Sequence, residues 1–140
     1  MATASSRPTR YPARMRVPDF IVRRFYVAGS LQAEGDGFRM QAHNGIGHGT
    51  LVGIGRLSVD GVDVDLASVT ATRDGDPTVH RAVDVSRSAP VAFSRGDLVT
   101  FHVAGHTLAP GRHRFEVEVH ELNAGTLTIP VSDELRPADG

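Results

Sequence analysis

Between residues 20 and 131 the apolar residues of this chain recur at every second position in short runs, and no helix-length window carries a helical period. The last third shows the alternation most cleanly. Val99, Phe101 and Val103 fall on one side of a strand, with Thr100 and His102 on the other; beyond the Ala109-Pro110-Gly111 turn, Phe115, Val117 and Val119 oppose Arg114, Glu116, Glu118 and His120. Further strands are expected over 20–27, 31–36, 62–66, 68–72, 79–85 and 127–131. Many short strands divided by turn signals predict an all-β fold, a single antiparallel β-sandwich of immunoglobulin-like or jelly-roll style.

The chain is organised around the stretch GFRMQAHNGIGHGTLVGIGRLSVDGVDVD, residues 37–65. It reads as strand, glycine-rich loop, strand and hairpin. Asp60-Gly61 between apolar neighbours is the strongest turn signal, because a type I′ turn needs positive φ and glycine adopts it without strain. The loop formed by His43, Asn44, Gly45, Ile46, Gly47, His48 and Gly49 is too long and glycine-rich for a tight turn. It is expected to be flexible, to face a substrate pocket or a partner, and to deliver His43, Asn44 and His48 there. It does not read as a phosphate-binding loop, since such loops end at a helix N-terminus and this one continues into a strand.

Composition narrows the chemistry. At 140 residues the chain is expected to hold one sandwich domain over 19–132, with a flexible arginine-rich arm over 1–18 and a polar tail over 133–140. There is no cysteine, hence no disulfide and no thiolate nucleophile or ligand. All fifteen basic residues are arginine, which excludes Schiff-base chemistry and a P-loop lysine. A net charge of -1 argues against nucleic acid as the partner of the whole domain. No apolar run is long enough to span a membrane, and the arm has no apolar leader segment, so a cytoplasmic protein is expected.

Seven histidines raise the possibility of a metal site. Their spacing does not support one. His102 and His106 lie on a strand and the turn after it, and His113 and His120, seven apart, fall on opposite faces of a regular strand. No nucleophile elbow, Ser-His-Asp set or convergent carboxylate pair is assignable, so no catalytic and no metal-binding residues are expected on this chain.

Three segments in order resemble the small β-subunit family of bacterial C-glycoside deglycosidases: Gly37-Phe38-Arg39-Met40, the run Leu57-Ser58-Val59-Asp60-Gly61-Val62-Asp63-Val64, and Leu108-Ala109-Pro110-Gly111-Arg112-His113. The resemblance implies a β-sandwich accessory subunit of a carbon–carbon lyase. Its partner would be a TIM-barrel α-subunit carrying the catalytic base and a divalent metal, typically manganese. Together they would cleave 3-oxo-C-glucosides of flavonoid-type aglycones by β-elimination, with the substrate at or near the interface. Where that family's loop carries aromatic residues, this chain has His43, Asn44 and His48, and it has no tryptophan. Two rival readings follow from the residues alone: a stand-alone carbohydrate-binding or interaction module, and a small cupin-like metal enzyme built on the histidines.

Overall fold

A computed structural model describes residues 14–137. The chain runs β1 (Arg14–Arg16), α1 (Asp19–Val22), β2 (Gln32–Glu34), β3 (Gly37–His43), β4 (Gly49–Val59) and β5 (Val62–Asp63). It continues through β6 (Val69–Arg73), β7 (Asp76–Arg81), β8 (Val91–Phe93), β9 (Leu98–Val103), β10 (Gly111–Glu121) and β11 (Gly125–Leu135). One sheet has the order β1-β11-β10-β4-β5, with β8 paired to the start of β4; the other has the order β2-β3-β9-β6-β7. Every pairing is antiparallel except that of β1 with β11. The expected all-β sandwich is the fold observed.

The two sheets meet through the inward halves of the alternating strands. Phe38 on β3 and Phe115 on β10 are fully buried, and Val59, Val103, Val131 and Leu135 close around them. Gly37 precedes Phe38 because a Cβ there would overlap the carbonyl of Val103 on the neighbouring strand. Asp60 and Gly61 have φ of 51° and 85°, the two positive values a type I′ turn requires, so the predicted hairpin between β4 and β5 forms where the sequence places it.

Several expectations change, among them the strands over 62–66 and 79–85, which stop at Asp63 and Arg81 and are followed by 3-10 turns at Leu66–Ser68 and Ala82–Asp84. Residues 20–27 do not form a strand. Pro18 caps α1 with φ of -64°, Asp19 opens the first turn, and the N–H groups of Val22 and Tyr26 bond back to the carbonyls of Pro18 and Val22. The branched and aromatic residues that suggest a strand here are spaced so that Val22, rather than alternate residues, is the one buried. Within the expected arm, Arg14–Arg16 pair with Thr126–Thr128, while residues 1–13 lie outside those described. The polar tail begins as strand: Asp133, 8% exposed, accepts hydrogen bonds on Oδ2 from the Tyr26 hydroxyl (2.6 Å), Gly29 N–H (3.0 Å) and Leu31 N–H (3.3 Å). Those bonds tie the loop after α1 to β11. Burial, then the bond to Asp133, push the Tyr26 phenol well above its ordinary range.

Candidate functional site

The loop from His43 to Gly49 is an ordered structure built on Asn44. That side chain is 3% exposed. Its Nδ2 donates to the carbonyls of Gly47 (2.7 Å) and Phe93 (2.8 Å), and its Oδ1 accepts from the N–H groups of Ile46 (3.0 Å) and Gly47 (3.1 Å). Arg95 donates to the Ile46 carbonyl at 2.6 Å, and the Asn44 backbone pairs with Asp97 and Gly96. The backbone freedom expected from the glycines is therefore taken up by hydrogen bonds to residues 93–97. His43 is exposed at the end of β3, and a Cβ on Gly45 would crowd the Arg24 carbonyl. The loop does not reach into the interior.

His48 sits between two hydroxyls, with Nδ1 3.2 Å from Ser94 Oγ and Nε2 3.3 Å from Thr50 Oγ1. A Ser-His contact becomes a nucleophilic pair when an acid orients the imidazole. The nearby Glu121 does not take that role, because its carboxylate is occupied by the N–H groups of Thr50, Asn123 and Ala124. Burial raises the Glu121 pKa, but those donors outweigh it and hold the carboxyl below its ordinary range.

Three further histidines are held by hydrogen-bond partners of their own. His113 donates from Nδ1 to Asp60 Oδ2 (2.7 Å) and from Nε2 to the Ala109 carbonyl (2.6 Å). Two acceptors on one ring favour the imidazolium, and its pKa is raised by the Ala109 carbonyl and then by Asp60. The Asp60 pKa is lowered by His113 and by the Arg114 N–H. His102 lies 2.7 Å from Glu34 and 3.2 Å from Thr72 Oγ1, and His120 lies 3.0 Å from Thr126 Oγ1. Among the described residues no three His, Asp or Glu side chains converge on a metal-binding geometry.

The built opening lies elsewhere. Between the sheets is an apolar cavity of about 180 Å³ that neither Phe38 nor Phe115 lines. One sheet contributes Leu51, Ile54 and Val117; the other contributes Ala71, Val99 and Phe101, all only half-buried. No residue of the 43–49 loop lines it. At its edge Arg73 leaves β6 and crosses to the other sheet, where Nη2 donates to the Ala92 carbonyl of β8 at 2.7 Å. Its Nε is 3.8 Å from Asp97 Oδ2. That nitrogen is the one buried side-chain polar atom among the described residues that makes no hydrogen bond. The sequence ends the expected strand at residue 72 and does not single Arg73 out, since its role depends on strands far apart in the chain.

A family model described as hydroxymethylglutaryl-CoA reductase, N-terminal domain, matches residues 21–136. No protein of curated function matches the chain. The family matched differs from the C-glycoside deglycosidase β-subunits, so that resemblance and the deglycosidase function drawn from it are corrected. The lyase assignment and the manganese-bearing TIM-barrel partner rest on the resemblance alone, and neither is carried further. No helix among the described residues is long and apolar enough to cross a membrane.

Proposed function

The chain belongs to the hydroxymethylglutaryl-CoA reductase N-terminal domain family, and on that premise we propose that it serves as a non-catalytic binding domain whose working part is the intersheet cavity. The family name describes the N-terminal domain of a reductase, and the side-chain clusters described above favour a supporting role. Asn44 and Glu121 spend their polar atoms on backbone groups, His113 on Asp60 and a backbone carbonyl, and Asp133 on Tyr26 and backbone N–H groups.

The observation that carries the reading is the uneven core. Phe38 and Phe115 are fully buried and line no cavity, while other apolar side chains of both sheets surround about 180 Å³ of space. A preformed apolar cavity with a few polar groups at its edge is the usual form of a small-molecule site. A sugar ligand fits less well. Carbohydrate faces stack on exposed aromatic rings, and among the described residues Phe20, at 65%, is the only broadly exposed aromatic.

The test is a calorimetric titration of the full chain with toluene, a one-ring apolar ligand of the size such a cavity holds. Saturable binding is expected for the wild type. It is expected to vanish in Ala71→Leu, which fills the cavity, while the unfolding midpoint is kept or raised. No binding by the wild type, or equal binding by the variant, would overturn the proposal.

A further inference from the structure

We propose that β1 and α1 form a docking strip for an acidic protein segment in extended conformation, which adds to the sheet beside β1. This goes beyond the cavity reading and does not depend on it.

Charge is divided unevenly along the chain. Residues 14–24 hold four arginines and one acid, whereas residues 25–140 hold nine arginines and fifteen acids. The fold gathers the basic stretch in one place. Val17 and Pro18 join β1 to α1, and both elements lie against β11. Arg14, Arg16, Arg23 and Arg24 are all exposed there. Arg16 reaches Glu116 at 2.8 Å and Arg14 stands 3.6 Å from Glu118, while Arg23 and Arg24 form no ion pair among the described residues. Two exposed apolar side chains belong to the same stretch, Met15 at 49% and Phe20 at 65%. Arginine, methionine and aromatic residues are the types enriched where proteins meet.

The backbone specifies the form of the partner. Among the described residues β1 ends its sheet, pairing with β11 on one side. Its other side presents N–H and C=O groups that an added strand satisfies. A second copy of β1 does not suit this edge, since arginines would face arginines. Side chains alternate along a strand, so Arg14 and Arg16 meet acids where Met15 meets an apolar residue, a pattern of acid, apolar, acid. A guanidinium presents its donors in a planar fork that matches a carboxylate. A lipid surface or a nucleic acid fits less well, because a broad polyanion also faces the acidic remainder of the domain, whereas one strand runs along this edge alone.

The experiment records amide NMR spectra of the full chain at neutral pH as an acetylated heptapeptide alternating glutamate and valine is added. Saturable shifts are expected at Arg14–Val17, and none with the lysine–valine counterpart. The double variant Arg14→Glu/Arg16→Glu is expected to bind the acidic peptide about tenfold more weakly, two surface ion pairs being replaced by repulsion. Should that variant fail to fold, raising the salt on the wild type serves instead, since screening weakens exposed pairs. Methylating the backbone nitrogens of the peptide keeps its charges and blocks strand addition, so it is expected to abolish the shifts. The proposal is overturned if both peptides bind alike, if the methylated peptide binds as well as its parent, or if binding survives both the double variant and high salt. It is also overturned if the peptide does not bind, or if the shifts at Arg14–Val17 arise instead from phosphatidylglycerol vesicles or from concentrating the chain alone.

Discussion

The rings of Phe38 and Phe115, one from each sheet, lie with centroids 5.5 Å apart at 46° to each other, and both are fully buried. Neither ring lines the intersheet cavity, part of whose wall is half-exposed, so truncations at the two places should differ in cost. Phe115→Ala is expected to destabilise by about 3–5 kcal/mol, because it removes a buried ring and leaves a void. Val99→Ala, at a half-exposed cavity wall, is expected to cost about 1 kcal/mol. Urea denaturation of both variants checks the contrast, and equal costs would show the core to be uniform.

Asn44 holds the 43–49 loop through four side-chain hydrogen bonds. Asn44→Ala leaves partly buried backbone groups of residues 46, 47 and 93 without their side-chain partners and is expected to cost about 1–2 kcal/mol. His43→Ala, on an exposed side chain, should be close to neutral. Amide hydrogen exchange would show the loss as faster exchange at Ile46 and Gly47 in the asparagine variant only.

The clasp between His113 and Asp60 makes stability depend on pH. His113 has a folded pKa raised above its unfolded value, so its contribution is complete below about pH 6.5 and is lost as pH rises through the folded value. Asp60 has a lowered folded pKa, so its contribution is complete above about pH 3.9 and is lost as pH falls through the depressed value. The thermal midpoint of the wild type is therefore expected to fall from pH 6 toward pH 9. In His113→Gln that slope should flatten, and a scan of midpoints across pH measures it.

Local signals were readable in the sequence, and long-range ones were not. The Asp60-Gly61 turn and the alternation of Phe115, Val117 and Val119 depend on neighbours in the chain, and both appear in the structure as expected. The short helix at Asp19–Val22 was obscured because Phe20, Ile21 and Val22 favour strands in isolation, and only Pro18 and the fold around it decide otherwise. Asp133 reads as part of a polar tail until Tyr26, Gly29 and Leu31 arrive from across the molecule. The cavity and Arg73 were illegible for the same reason. The mistaken family resemblance also has a physical source. Two of the segments that carried it, around Asp60-Gly61 and Ala109-Pro110-Gly111-Arg112-His113, are the two sides of one clasp, joined by His113 to both Asp60 and the Ala109 carbonyl. They encode how two turns meet, a requirement of the sandwich rather than of any one reaction.

The central claim, that the domain binds an apolar ligand between its sheets, is tested most directly by methyl NMR of the full chain titrated with toluene. Saturable shifts are predicted at Leu51, Ile54, Val99 and Val117, which line the cavity. Shifts confined to the exposed Ile46, Val62 and Leu122, or no shifts at all, would contradict it.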